Sequence, residues 1–329
     1  MTVNPFILSI LMYLSISSEP LLSTFVDKKI LDSLLMLIPQ ITINNIDKSN
    51  KMTVQLYENN FHQLELKKQF KNVINSVSNY NLSELKIEEI MQKVAEQFIG
   101  STYKADLLEI FTKEKLFVSF EKFDCVLFVE TVLAIARNII INDKRYLTFT
   151  KHLQEQRYIN GLINGYCSRL HYFSDWINDN QKRGNVKDIT AELGGINFNK
   201  KIYFMSKNRK LYPNLANNEI NYQCILEREN KINKLVLKYI PNNKIKQIYP
   251  KLKPGDIISI ATDIDGLDVT HAGLVYKTIE RNIGFIHASP VGEVTIARDL
   301  EKYVINVKKS VGIIVARPID IRLRNNKKI

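Results

Sequence analysis

The spacing of apolar residues changes partway along this chain, and that change narrows the folds open to it. Ile87, Ile90, Met91, Val94 and Phe98, and then Val129, Val132, Leu133 and Ala136, recur three and four apart, as on one face of a helix. From residue 257 onward, short apolar runs bounded by turns take over, at 257–260, 270–276, 285–289 and 311–316. Lys253-Pro254-Gly255-Asp256 turns into the first run, and a polar turn through Arg281, Asn282 and Gly284 joins the second to the third. Helices followed by strands predict an α+β fold, with helices packed on an antiparallel β-meander.

Outside that frame the chain divides by composition. Residues 1–20 are a candidate signal peptide, with an apolar run after Asn4-Pro5 and small residues at Ser15, Ser17 and Ser18. No Lys or Arg precedes the run and Glu19-Pro20 follows it, so a core or amphipathic helix fits as well. The run is too short to span a bilayer, and no other span is expected. Residues 21–80 read as a helical N-terminal extension, polar on one side and rich in Asn and Lys, with His62 at the surface. The main domain covers 81–320 with an insertion over 150–250, and 321–329 form a basic, frayed tail. Ser83 is placed to cap the first helix of the main domain and Gly100 to end it. The irregular 150–215 stretch is densest in aromatics at Arg169-Leu170-His171-Tyr172-Phe173-Ser174-Asp175-Trp176, which either covers a cleft or packs locally.

At +12, the net charge suits an anionic partner. The Lys and Arg residues are scattered and no nucleic-acid motif accompanies them, so nucleic acid is not the expected partner. Nothing in the pattern specifies an oligomeric state. Three cysteines, Cys125, Cys167 and Cys224, form no C-x-x-C pair and no disulfide scaffold. In an oxidising compartment Cys167 and Cys224 could pair and leave Cys125 free; the blander reading, preferred here, is two separately buried thiols. No His-Glu-x-x-His helix is present, and neither a metal nor another cofactor is expected.

Cys125 stands where a loop turns into a helix. A strand is expected at 116–120, Asp124 is the N-cap, and Val129 begins the helical stripe. Free N–H groups and a partial positive charge at a helix start favour thiolate, and lower a cysteine pKa from about 8.5 into roughly the 3.5–7.5 range. The alternative is a small buried hydrophobe. His271 and His287 decide between the two. They lie in consecutive strands of one hairpin, where two imidazoles can meet on one face. Cysteine chemistry needs a histidine to take the thiol proton and a polar group to hold its tautomer. His271 is the better base, because Ala272 and Gly273 beside it are small and leave room for substrate; His287 orients it.

These residues resemble a family. Asp124-Cys125 at a helix start, Pro254-Gly255-Asp256 before a strand, His271-Ala272-Gly273 and His287-Ala288-Ser289 are similar to motifs of the NlpC-type cell-wall peptidases, which have a papain-like fold. Phe123-Asp124-Cys125-Val126 with Phe128-Val129-Glu130-Thr131, Arg169-Leu170-His171-Tyr172 with Asp175-Trp176, and Thr270-His271-Ala272-Gly273 resemble the N-acetylmuramoyl-L-alanine amidase-like branch of that clan. The resemblance covers roughly residues 83–318. It implies Cys125 as nucleophile, His271 as base and His287 as third member. It also implies that Tyr103 lies beside the nucleophile, and that Tyr103, Asp124, Arg169, His171, Tyr172 and Trp176 form a substrate-binding set. The expected activity is hydrolysis of an amide in peptidoglycan, between N-acetylmuramic acid and L-alanine, by a periplasmic or secreted protein. A D-glutamyl-diamino acid endopeptidase, and a non-catalytic wall-binding protein of the same fold, are the alternatives. A zinc amidase finds no ligand cluster in the sequence.

Overall fold

A computed structural model describes residues 48–78 and 85–323; the candidate signal peptide, Ser83 and most of the basic tail lie outside them. The chain divides into a unit up to Asn60 and a second unit from Phe61. Of the first, residues 48–60 are described, as helix. All that follows concerns the second unit.

Helix α1 (Lys48–Ser78) carries Leu66, Phe70, Ile74 and Val77 three and four apart, and all four are buried. Phe70 stacks on Phe149 with ring centroids 5.1 Å apart. The sequence places residues 61–78 in an extension; in the structure this stripe is part of the main core, while His62 is exposed as expected. Helix α2 (Ile87–Glu96) buries Ile87, Ile90, Met91 and Val94, the predicted face, and its Glu89 carboxylate accepts the Lys86 N–H. Gly100, at φ +84°, ends the turn after it.

Strands β1 (Thr102–Tyr103) and β2 (Lys122–Phe123) form a two-residue parallel ladder. The strand expected at 116–120 is irregular backbone instead. Side chains take the place of a ladder partner there: Arg157 donates to the Phe117 carbonyl at 2.6 Å, and the Tyr158 hydroxyl faces the Lys115 carbonyl. Helix α3 (Cys125–Ile140) follows and is buried on nearly every side, from Leu127 to Asn138 without a break. A helix apolar all round belongs inside a core, where each large apolar side chain contributes about 1.5–3 kcal/mol. Helices α4 (Tyr146–Arg157) and α5 (Phe173–Lys182) flank it. Glu130 of α3 ties the three together. It accepts from Arg157 at 2.6 Å and from the Trp176 indole at 3.1 Å, while its backbone carbonyl accepts from Gln156.

After β3 (Val186–Asp188) and β4 (Ile196–Asn197) come α6 (Phe204–Lys207), α7 (Pro213–Ala216), α8 (Glu219–Ile232) and β5 (Lys238–Pro241). The meander follows: β6 (Ile257–Thr262), β7 (Val269–Lys277), β8 (Ile283–Ala288), β9 (Val294–Ala297), α9 (Leu300–Asn306) and β10 (Ser310–Pro318). The sheet runs β4-β5-β10-β6-β7-β8-β9 with β3 also on β10, and every pair in it is antiparallel. Strands β3, β4, β5 and β9 and helix α9 are additions that the sequence reading did not place.

Side chains alternate between the two sheet faces. Ala272, Leu274, Ile286 and Ala288 share a core with α3. Val275, Phe285, Ile258 and Ile260 share another with Leu300 and Val304 of α9. A third cluster, with Tyr172, Met205, Leu215 and Ile225 in it, sits inside the 150–250 segment. Cys167 and Cys224 are joined there by a disulfide, so the expectation of two separate buried thiols is corrected. The bond links the turn at residues 166–168 to α8, two pieces that no strand ladder connects.

Candidate active site

Asp124 caps α3, accepting the Val126 and Leu127 N–H groups at 2.9 and 2.7 Å. Cys125 is the first residue of the helix and a free, half-buried thiol. The Ala272 N–H of β7 points at its sulfur, as do the Cys125 and Val126 N–H groups. The ladder between β7 and β8 begins at Leu274↔Ile286, so Ala272 lies just beyond it and the sulfur takes a place where a strand carbonyl would otherwise be. The acidic thiol that a helix start suggests is not what the surroundings give. Burial pushes the Cys125 thiol up to about 12, the Asp124 carboxylate adds to the rise, and the three N–H groups offset only part of it. The same carboxylate that caps the helix sits beside the sulfur and counters the positive helix end.

His271 and His287 are brought together. Nε2 of His271 lies 2.8 Å from Nδ1 of His287, with the rings edge to face. Burial lowers His271 to about 3 and His287 to about 4, so both are neutral at pH 7. Gly273 serves a purpose other than the expected one of leaving room for substrate. A Cβ on it would lie 2.6 Å from the Phe285 ring and 2.7 Å from the His287 Cβ. The gap is filled by Phe285 and His287 of the neighbouring strand.

Tyr103 of β1 donates its N–H to the Gly292 carbonyl at 2.6 Å. Burial, and next the charge of Cys125, raise its hydroxyl to about 12. Cys125, Asp124 and Tyr103 thus gather at one end of α3, and His271 adjoins Ala272, whose N–H reaches the sulfur. The other named residues are engaged elsewhere. Arg169 is buried and paired with Glu109 and Glu114 at 2.7 and 3.4 Å, and its charge reaches Asp124. His171 donates Nε2–H to the Tyr166 carbonyl at 2.9 Å, and burial holds it well below the usual histidine range. The Tyr172 hydroxyl donates to Glu229 and accepts the Met205 N–H, and the Trp176 N–H goes to Glu130; these two side chains are 3% and 1% exposed.

The sequence reading missed Tyr303 of α9, half-buried with its ring centroid 4.5 Å from that of His287. Its only sequence signal was Leu300, Tyr303, Val304 and Val307 at helical spacing after Asp299, which shows a helix face but not what it meets.

Residues 93–313 match the family model described as AmiA-like, N-acetylmuramoyl-L-alanine amidase-like. The chain belongs to the AmiA-like family. Among solved structures, an N-acetylmuramoyl-L-alanine amidase from Bacteroides uniformis is 30% identical with a TM-score of 0.66, over 71% of this AmiA-like chain and 99% of that one. A protein called a putative xylanase from Bacteroides fragilis is 32% identical with a TM-score of 0.63, over 68% and 98%. A Legionella pneumophila protein at 21% identity and a TM-score of 0.59 shares the fold, over 78% and 95%. No curated protein matches the chain. The AmiA-like chain is therefore a member of an amidase-like family of peptidoglycan hydrolases, with a mixed α/β fold built on an antiparallel sheet. The match leaves out α1, whose later turns nonetheless belong to the core.

Proposed function

We propose that the protein is a cysteine hydrolase that cuts the amide between the lactyl group of N-acetylmuramic acid and L-alanine, on a papain-like scaffold of the NlpC type. The observation that carries this is the Cys125 sulfur at the head of α3, held by the Ala272 N–H, next in sequence to a histidine already paired with a second one.

With Nε2 of His271 engaged by His287, Nδ1 is the nitrogen left to receive a proton. The resting pair is neutral thiol and neutral imidazole. Attack and proton transfer go together: the Cys125 S–H proton passes to His271 Nδ1 as sulfur bonds to the carbonyl carbon. The burial that keeps both groups neutral also strengthens the attraction between thiolate and imidazolium once both exist. In this reading the Cys125 N–H turns from the sulfur to the developing oxyanion, with the Tyr103 hydroxyl as a second donor; one such donor is worth about 2.7–4 kcal/mol. The imidazolium then returns its proton to the leaving nitrogen of L-alanine, and the C–N bond breaks. Water, deprotonated by His271, releases the muramyl acyl group from sulfur.

Arg169, His171, Tyr172 and Trp176 act in this reading as supports of the 150–250 cover, while Tyr103 and Asp124 border the scissile bond. A cleft over an anionic wall polymer suits the +12 charge. The disulfide fits a periplasmic or secreted setting. Among the described residues no helix is long and apolar enough to cross a membrane.

Acid quenching during turnover tests the reaction and the bond together. The intact protein should gain the mass of a muramyl acyl group on Cys125. A gain of L-alanyl-D-glutamyl instead would assign the endopeptidase, and no gain in a turning-over enzyme would remove the acyl-enzyme.

A further inference from the structure

The His287 ring is clamped. Phe285 stacks against it at 4.8 Å with an interplanar angle of 18°, and Tyr303 packs on it at 4.5 Å. Tyr303 also reaches Phe285, at 5.2 Å, which closes the aromatic group. The Tyr303 hydroxyl lies 3.5 Å from His287 Nδ1, the atom that faces His271 Nε2.

That shared atom decides whether His271 can act as a base. Two neutral arrangements are open to the pair. In one, His271 donates Nε2–H to a bare His287 Nδ1, and its own Nδ1 is bare and able to accept the thiol proton. In the other, His287 donates Nδ1–H, and His271 must carry its proton on Nδ1, where it is useless as a base. A phenol is a better donor than acceptor, and burial keeps this one protonated. At 3.5 Å the hydroxyl is a second, weaker donor sharing the one Nδ1 lone pair with His271 Nε2–H, so it favours a bare Nδ1 and selects the first arrangement.

We infer that Tyr303 is a positioning residue which, through its ring and its hydroxyl beside Nδ1, holds His287 in the tautomer that leaves His271 Nδ1 free for the nucleophile's proton. The inference rests on the reaction proposed above, but its geometry concerns the histidine pair alone. Removing the hydroxyl forfeits one weak hydrogen bond, so the expected loss in kcat is roughly three- to tenfold, with KM unchanged.

The test is Tyr303→Phe, which keeps the clamp and deletes the hydroxyl, read by NMR of nitrogen-labelled histidines and by turnover. In the wild-type protein His287 should show a bare Nδ1 and a protonated Nε2; in Tyr303→Phe both tautomers should appear and kcat should fall, with the thermal midpoint unmoved. Tyr303→Leu, which also opens the clamp, should lose more activity. A wild-type His287 protonated on Nδ1, or identical tautomers in wild type and Tyr303→Phe, overturns the inference. If the tautomer shifts as described while the wild type releases no peptide, the inference stands and the proposed reaction falls.

Discussion

His271 and His287 touch although neither is the other's cross-strand partner. The register that pairs Leu274 with Ile286 sets Gly273 opposite His287, and the two rings meet diagonally, Nε2 to Nδ1 at 2.8 Å. A side chain at position 273 would close that diagonal. Gly273→Ala, with its Cβ within 2.7 Å of His287 and Phe285 atoms, should cost about 1–3 kcal/mol of stability and lower kcat well over tenfold. An alanine variant with unchanged kcat and unfolding midpoint would show that the glycine is not what seats the pair.

The buried titratable groups set both edges of a stability profile. His271 and His287 have native values of about 3 and 4, below the unfolded value near 6.5. Their contribution is present above pH 6.5 and is lost progressively as the pH falls from there through 4 and 3, because between the unfolded and native values the unfolded chain binds protons that the native state does not. Cys125 has the opposite sign. Its native value of about 12 lies above its usual 9.0, so its contribution is present below pH 9 and lost as pH rises toward 12. Unfolding of wild type and Cys125→Ala compared from pH 5 to 11 should agree below pH 9 and diverge above it, the wild type losing more. Alkylation of Cys125 in the free protein should be slow at pH 7 and accelerate above pH 9. Rapid alkylation at neutral pH would contradict a neutral resting thiol.

The disulfide between Cys167 and Cys224 should leave one titratable thiol, Cys125, in protein unfolded without reductant. Its ends are separated by 57 residues, and closing a loop of that length stabilises by about 4 kcal/mol in the chain-entropy account. Reduction should therefore lower the thermal midpoint. Three thiols in protein secreted under oxidising conditions would refute the bond.

Glu130 and Arg157 are both buried and 2.6 Å apart. Breaking such a pair from one side leaves the other charge without compensation, at about 3–5 kcal/mol. Glu130→Gln should show that loss in denaturant unfolding. Glu130 lies in the second turn of α3, with its bonds directed to α4 and α5 rather than to Cys125, so activity should fall only as far as folded protein is lost. A near-neutral unfolding result would mean that Arg157 finds another anion.

Much of the site could be read from the sequence because it is carried by local signals. Asp124 before Cys125 is a cap written in adjacent residues, and His271 and His287 lie in runs whose hairpin order forces them to be neighbours. The rest depends on contacts distant in sequence. In place of the strand expected at 116–120, Arg157, forty residues on, takes the Phe117 carbonyl, and Tyr158 faces the Lys115 carbonyl just before it. The thiol is less acidic than its helix position suggests because burial, and next the capping carboxylate, outweigh the helix end. Gly273 looked like space for substrate and is space for a neighbouring strand's rings. Aromatic residues near the middle of the chain read either as a cleft cover or as local packing; what the sequence does not show is that the polar atoms of Tyr172 and Trp176 are committed to Glu229 and Glu130.

The central claim is tested most directly by mass spectrometry of purified peptidoglycan fragments incubated with wild-type protein and with Cys125→Ala. The account predicts complete stem peptides beginning at L-alanine, released by the wild type and absent with a Cys125→Ala protein that unfolds like the wild type. Stem peptides released equally by both proteins, or shortened stems still attached to muramic acid, would contradict it.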